Sequence, residues 1–280
     1  MSVQSLNQAV RRPRSSFGAV IMTVWKNRNL AGEMIHRDIR ERYISQALSW
    51  AWLFVQPALT TTAYIVVFAY VFNARIGSDS SRAGYVVFLL SGLLAWMAVS
   101  EVMVRAVTAV SGVPGFVKQM VFPVEVLPLK IFGSPALSFL LSSAIFLAYV
   151  SLNGRGDLFL LFGWPFSVLC LVMFLVGTSY LLSAIGVFLR DIRDIVQVYT
   201  TIGLFASPTL FSVDTAPYVL KLTIALNPVT PFVLMFQDSV VGGAPIHVVA
   251  WLAGPLVALV TLLAGLAIFT WLRPVMGDVL

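Results

Sequence analysis

Long apolar stretches alternate with short polar connections along most of the chain. A helix needs about 20 residues to cross the hydrocarbon core of a bilayer, because each residue advances it by about 1.5 Å. Six stretches are long enough, and the backbone of such a stretch must bond within its own helix. We therefore predict an all-α membrane protein with six transmembrane helices, at about 47–72, 83–104, 131–152, 158–189, 195–211 and 246–272.

Composition supports lipid as the main solvent. Of the 280 residues, 59% are hydrophobic and 11% are charged, and the mean hydropathy is +0.92. These values lie outside the range of soluble domains with a polar surface. We expect a basic cytoplasmic N-terminal tail at 1–25, an amphipathic interface helix at 26–46, a single transmembrane domain at 47–272 and a cytoplasmic tail at 273–280.

The basic residues predict the orientation of the chain. With the N-terminus in the cytoplasm, 14 of the 18 Lys and Arg lie on the inner side. Such an excess is typical of cytoplasmic loops. The pattern predicts that both ends of the chain are inside, with four basic residues outside: Arg75, Arg82, Arg155 and Lys221.

Ionisable groups are almost absent from the predicted spans. Glu101 is the clear exception, and Arg105 follows it by one helical turn, so a pair between them is expected. Ion-coupled transporters usually carry several such groups within their spans. No lysine precedes Ser or Thr, which excludes a phosphate-binding loop ending in Gly-Lys-Ser/Thr. Neither an ion gradient nor ATP bound to such a loop is therefore expected to drive this chain.

Three polar or broken segments lie outside the spans. The stretch from Lys26 to Tyr43 has apolar residues at helical spacing and predicts a helix on the cytoplasmic membrane surface. The loop 111–129 contains three prolines and predicts a short helix that packs on a neighbour. The connection 212–245 combines prolines, glycines and apolar stretches, which predicts short re-entrant helices on the outer side.

Four short motifs occur in order along the chain. The first is a surface-helix string followed by Trp and Pro; the second is Lys, Phe-Pro and Leu-Pro; the third is Phe-x-Arg-Asp-Ile; and the fourth runs from Asn-Pro to Gly-Gly. They comprise Arg37, Asp38, Ile39, Arg42, Tyr43, Trp52, Gln56 and Pro57; Lys118, Val121, Phe122, Pro123, Val126, Leu127 and Pro128; Phe188, Arg190, Asp191 and Ile192; and Asn227, Pro228, Pro231, Phe232, Asp238, Gly242 and Gly243.

Together these motifs resemble the permease subunits of polysaccharide-exporting ABC transporters, which handle O-antigen, capsule, teichoic acid and related glycans. Val124 and Glu125 depart from the family, in which a basic residue often follows Phe-Pro. The resemblance implies a homodimer in the bacterial cytoplasmic (inner) membrane, bound to two copies of a separate ATPase that holds ATP and Mg. It implies a lipid-linked polysaccharide as substrate, with no catalytic residue, metal or cofactor in this chain and no nucleic acid partner.

Two other functions stay open from the sequence. A permease of the same architecture could export another hydrophobic cargo, such as a drug or a lipid. A membrane-embedded biosynthetic enzyme or a scaffold is the alternative without transport, although such an enzyme needs carboxylates or histidines gathered at one membrane face. Acidic residues are few and scattered in this chain.

The resemblance and the residue patterns together select candidate sites. Short helices at the membrane face can act as levers for an ATPase, and the predicted coupling residues are Glu33, Arg37, Asp38, Arg40, Glu41, Arg42, Phe116, Lys118, Phe122, Pro123, Arg190 and Asp191. The charges of the surface helix could instead only support it through i, i+4 pairs, and those of the Arg190 turn could only anchor the topology. The outer gate is predicted at Asn227, Pro228, Pro231, Phe232 and Asp238.

Two further sets concern the substrate. An aromatic stripe on the first span, suited to sliding sugars or alternatively to helix packing, includes Trp50, Phe54, Tyr64, Phe68 and Phe72. Guanidinium groups match phosphate oxygens, so a lipid pyrophosphate headgroup, or else anionic membrane lipid, is expected at Arg28, Arg40 and Arg42.

Overall fold

Helices form every regular element in the part of the chain that the computed structural model describes, which confirms the all-α class. The described residues are 17–43, 50–67, 82–113, 123–154, 157–213, 216–241 and 243–279. A single 3-10 turn, Val124–Val126, leads into α5. The α-helices are α1 (Phe17–Lys26), α2 (Arg28–Tyr43), α3 (Trp50–Val66), α4 (Arg82–Ala106), α5 (Leu127–Lys130), α6 (Gly133–Leu152), α7 (Leu158–Phe188), α8 (Ile192–Gly203), α9 (Tyr218–Leu226), α10 (Thr230–Val241) and α11 (Val248–Val279).

Four helical stretches are long and apolar enough to cross a membrane: Gly84–Ala106, Val124–Leu152, Leu158–Phe188 and Val248–Gly277. They coincide with the second, third, fourth and sixth predicted spans. The pair α9 and α10, bent by 101° at Asn227, adds a fifth if the two are counted as one broken span. Helix α3 has 17 residues within the first predicted span, 47–72, whose remainder at 47–49 and 68–72 falls outside the described residues.

The structure has no continuous helix over the fifth predicted span, 195–211. Helix α8 has 12 residues and ends at Gly203, so it is about 18 Å long against a hydrocarbon core of about 30 Å. Turns follow it from Leu204 to Thr209. Pro208 disfavours helical geometry at the residue before it. The segment is apolar on both sides of Gly203, so its composition alone does not indicate that α8 ends there.

Both predicted tails contain helix. Helix α1 occupies the end of the predicted tail 1–25 and packs against α11, with Val20 almost fully buried. Helix α11 runs past the predicted boundary at Leu272 to Val279. The two ends of the described chain therefore support each other at one end of the bundle.

The bundle is built around α4, α7 and α11. Helix α4 is the most buried of the four long helices, while α11 is the least buried. The largest helix contact joins α7 and α11. Their backbones approach closely at two glycines, since a Cβ added to Gly265 would lie 2.0 Å from the Gly177 carbonyl oxygen. Small residues allow such close crossings, which hold helices together in lipid.

Gly265→Ala should therefore destabilise the protein. The added methyl group forces α7 and α11 apart, and overpacking of this kind costs about 1–3 kcal/mol. Thermal unfolding of the purified protein in detergent should show a clearly lower midpoint. Gly277→Ala is the matched control, because a Cβ at that position on the same helix meets nothing within 4 Å. Equal midpoints for the two variants would contradict the close crossing.

Candidate functional site

A groove of about 570 Å³ runs along α4 between α3 and α8. Helix α2 closes one end of it through Arg42, and Tyr64 of α3 forms part of one wall. The other lining residues are Leu93, Trp96, Met97, Ser100, Glu101, Val104 and Arg105 from α4, and Gln197, Thr200 and Leu204 from α8 and the turn after it.

Charged and polar side chains lie among the apolar residues that line this groove. Ser100, Glu101 and Arg105 lie on a helix that is largely apolar, and Gln197 and Thr200 line the same groove from α8. Polar and charged groups at membrane depth are costly unless they face water, each other or a ligand. Such a row is typical of a pathway for a polar molecule.

Aromatic rings support the groove beneath its polar row. The Trp96 ring lies against Gly203 so closely that a Cβ there would be 2.4 Å from the ring. The Tyr199 ring lies 6.0 Å from the same Trp96 ring. The absence of a side chain at Gly203 therefore lets α8 pack close to α4.

Ion pairs fasten α2 across the end of the groove. Arg105 donates through Nη2 to both oxygens of Asp38, at 2.5 and 2.7 Å, and Ser134 Oγ donates to the same carboxylate at 2.8 Å. Arg42 pairs with Glu101. The structure thus gives Glu101 and Arg105 partners on α2 instead of the predicted pair with each other.

The opposite face of α2 remains exposed. Arg37 donates to Glu41 at 2.6 Å, and both side chains are more than half exposed. Glu33 and Arg40 are exposed on the same helix. The predicted coupling residues of α2 therefore divide into an inner pair, Asp38 and Arg42, and an outer set.

A further ion pair joins the segment before α6 to the end of α11. Glu125 is fully buried, and its Oε1 lies 2.5 Å from Arg273 Nη1. Tyr180 Oη donates to the Glu125 carbonyl oxygen at 2.8 Å, while its ring packs edge-on against Phe269. Glu125, which departs from the family motif, thus connects the 3-10 turn before α5 to α7 and α11.

At the other end of the bundle, Asn227 and Asp238 hold buried turns. Asn227 Oδ1 accepts hydrogen bonds from Val229 N and Tyr199 Oη. Asp238 is 1% exposed and accepts from the backbone N of His247 and from Trp251 Nε1. These contacts fix the bend between α9 and α10 and the start of α11.

A family model described as ABC-2 type transporter matches residues 30–241, from α2 to the end of α10. This chain belongs to the ABC-2 type transporter family. The matched region contains every residue that lines the groove.

Curated relatives extend over most of this ABC-2 transporter chain. An O-antigen export system permease protein RfbA from Myxococcus xanthus is 26% identical over 220 residues, which is 78% of this chain and 82% of the relative. A protein of the same description from Klebsiella pneumoniae is 24% identical over 249 residues, which is 88% of this chain and 92% of the relative.

The remaining predicted coupling residues lie partly outside the described residues. Phe116, Lys118 and Phe122 do so, whereas Pro123 directly precedes the 3-10 turn. Arg190 lines a second hollow of about 530 Å³, formed by the ends of α4, α7 and α11. Asp191 directly precedes α8 and is exposed.

The predicted substrate stripe on α3 does not share one environment. Tyr64 lines the groove, while Phe54 is exposed and does not. Trp50 begins α3, and Phe68 and Phe72 lie outside the described residues.

The predicted gate residues are mostly buried packing and capping groups. Phe232 is fully buried, with its ring centroid 4.9 Å from that of Phe174, and Asn227 and Asp238 are buried too. Pro228 is exposed at the bend, and Pro231 is partly buried in the first turn of α10.

The headgroup set is not brought together. Arg28 stacks on the Trp25 ring and donates to the Trp25 carbonyl oxygen, and Arg40 is exposed. Only Arg42 of the three lines the groove. Arg105, which sequence reasoning did not select for this role, accompanies it there.

Arg273→Met should lower stability, because it leaves the buried Glu125 carboxylate without its cation. Arg273 is about one-third exposed, so we expect a loss of about 2 kcal/mol, below the range for a fully buried pair. Thermal unfolding in detergent measures it, with Arg193→Met as an exposed control. The double variant Glu125→Met with Arg273→Met should recover most of the loss, and a failure to recover would argue against the pair.

Proposed function

We propose that this chain is the membrane subunit of an ATP-driven exporter that carries a lipid-linked polysaccharide across the bacterial cytoplasmic membrane. The observation that carries the proposal is the groove along α4, lined by charged and polar side chains together with Tyr64 and Trp96, in a member of the ABC-2 family. Curated relatives of similar length carry the description O-antigen export system permease. A sugar chain binds to hydrogen-bonding groups and to aromatic faces. In this groove Gln197 and Thr200 supply the first and Tyr64 supplies the second.

A second copy of the chain completes the pathway in this proposal. The groove is open along one side, and Gln197 is exposed there, where lipid would be a poor solvent for an amide. A homodimer with two grooves facing each other removes the polar row from lipid. It also gives a passage wider than one groove.

The energy comes from two copies of a separate ATPase subunit, which hold ATP and Mg. The exposed set on α2, formed by Glu33, Arg37, Arg40 and Glu41, offers a charged docking face. Arg190 and Asp191 offer a second contact, and the predicted loop with Phe116, Lys118, Phe122 and Pro123 a third. These elements transmit closure of the ATPase to the groove, because α2 is fastened to α4 by its inner ion pairs.

The proposed topology has six crossings with both chain ends inside. The ends of α4, α7 and α11 meet around one hollow, and Arg105, Arg190 and Arg273 lie near those ends, which agrees with an inner face there. The predicted span 47–72, which contains α3, forms the first crossing. Helix α8 and the turns after it form the fifth. The bent pair α9 and α10 forms the re-entrant outer element, in which Asn227, Pro228, Pro231, Phe232 and Asp238 set the outer gate.

Copurification tests this assembly. The tagged chain, expressed in its native host and extracted in mild detergent, should retain an ATPase subunit and a glycan that is released with its lipid by organic solvent. Mass spectrometry identifies both. An ATPase with a lipid or drug but no glycan would instead support the alternative cargo, and the absence of any ATPase would contradict the proposal.

A further inference from the structure

Two buried carboxylates lie in different parts of the bundle, and α11 contacts both of them. Glu125, in the 3-10 turn before α5, is fully buried, and its Oε1 lies 2.5 Å from Arg273 Nη1 near the end of α11. Asp238, on α10, is almost fully buried, and its Oδ2 accepts from Trp251 Nε1 at 3.0 Å near the start of α11. One helix therefore holds a buried acid at each of its ends.

The two contacts lie at opposite ends of the membrane-spanning part of α11. Arg273 follows Trp251 by 22 positions on one continuous helix. At 1.5 Å per residue this places them about 33 Å apart along the helix axis. The hydrocarbon core of a bilayer has nearly the same thickness, about 30 Å. Helix α11 therefore joins the 3-10 turn to α10 across the membrane without an intermediate element.

Stability alone does not explain the charges of the contact at the end of α11. Burying two charges costs about as much as their attraction returns, and an apolar pair of similar volume is often at least as stable. An ion pair is more specific than an apolar contact, so it holds the turn and α11 in one relative position.

Helix α7 adds two contacts to the same segment. Tyr180 Oη donates to the Glu125 carbonyl oxygen at 2.8 Å, and Ser179 Oγ donates to the Pro128 carbonyl oxygen at 2.7 Å. Helices α7 and α11 also make the largest helix contact of the described chain. The turn, α7 and α11 are therefore joined as one body.

We infer that α11 transmits the position of the predicted coupling loop to the outer gate, with Arg273 and Trp251 as the positioning residues at its two ends. The inference rests on the proposed function, in which Pro123 contacts the ATPase and Asp238 belongs to the gate. Pro123 lies two residues before Glu125, so a shift of the loop moves the turn and, through the ion pair, α11. Trp251 passes the same shift to Asp238 and thereby to α10. Rigid elements that are joined by specific contacts carry such displacements in many proteins.

Export and ATP hydrolysis measured on the same variants test the inference. Each variant replaces the wild-type gene in the native host, and its complex with the ATPase is purified for ATP hydrolysis. Glu125→Met with Arg273→Met, the apolar double variant, keeps the turn packed but removes the specific charge contact. We expect normal amounts of chain and ATPase, normal ATP hydrolysis, and about 10-fold less surface polysaccharide, within the usual range for coupling between two sites.

Conservative variants separate transmission from packing. Arg273→Lys keeps a charge opposite Glu125 and should retain most of the export. Trp251→Phe keeps an aromatic ring but removes the donor to Asp238, so we expect about 5-fold less export with unchanged ATP hydrolysis. Trp271→Phe is the matched control on the same helix, because the Trp271 side chain is about half exposed, and it should export like the wild type. Trp251→Phe decides the question alone if the apolar double variant does not accumulate.

Three results would overturn the inference. Wild-type export by either the apolar double variant or Trp251→Phe would show that export does not need that contact. Equal losses of ATP hydrolysis and export would place the defect in the ATPase. Loss of the ATPase from the apolar double variant would show that Glu125 and Arg273 shape the docking surface instead. A wild-type complex without ATPase or without glycan would contradict the proposed function itself, and this result appears before any residue is substituted.

Discussion

Gln197→Trp should abolish export of the polysaccharide while the protein still inserts into the membrane. Gln197 is exposed and lines the groove from α8. An indole ring there has room to enter the groove without disturbing the buried core. It therefore occupies the proposed path of the sugar chain. In a host whose own gene is deleted, surface polysaccharide should fall to the background of the deletion strain.

A tryptophan on the lipid-facing side provides the control for this prediction. Leu252 lies on α11, is mostly exposed and does not line the groove. Leu252→Trp should restore surface polysaccharide to the wild-type amount, with equal protein detected in the membrane fraction. Wild-type export by Gln197→Trp would show that the substrate passes elsewhere.

Asp38→Arg should prevent accumulation of folded protein. The substitution replaces a carboxylate that is largely buried between Arg105 and Ser134 and puts two guanidinium groups side by side. Loss of a buried partner costs about 3–5 kcal/mol, a large part of the stability of a typical domain. The amount of monodisperse protein after detergent extraction measures the effect.

Two variants identify the cause. The exchange Asp38→Arg with Arg105→Asp restores opposite charges and should recover much of the folded protein. Arg37→Glu, on the exposed face of α2, should leave the amount of protein unchanged but weaken retention of the ATPase. If Asp38→Arg gave normal protein and lost only the ATPase, Asp38 would contact the ATPase directly, as the sequence alone suggests.

The long spans were predictable because the mean hydropathy over many residues identifies them. The stretches later seen as α4, α6, α7 and α11 are each apolar for 20 residues or more. The segment 195–211 is also apolar, yet α8 ends at Gly203. A window average does not register a helix end at Gly203 or the constraint from Pro208, so it predicted one continuous helix where the structure has a short helix and turns.

The candidate site was harder to predict because its contacts are distant in sequence. Glu101 stood out as a lone acid in an apolar span, but local spacing assigned it to Arg105 and not to Arg42, 59 positions away. Gln197 and Thr200 could not be predicted as groove residues, because the sequence gives their neighbours along the chain and not those on other helices. Asp238 was predicted at a gate from its motif, whereas the structure shows it buried against His247 and Trp251.

The most direct test of the central claim locates the polysaccharide in cells that lack this chain. Deletion of its gene in the native host should leave lipid-linked polysaccharide on the cytoplasmic side of the membrane and none at the cell surface. The wild-type gene should return it to the surface, and Gln197→Trp should not. Normal surface polysaccharide in the deletion strain would contradict polysaccharide export, and a complete absence of the polymer would indicate biosynthesis instead.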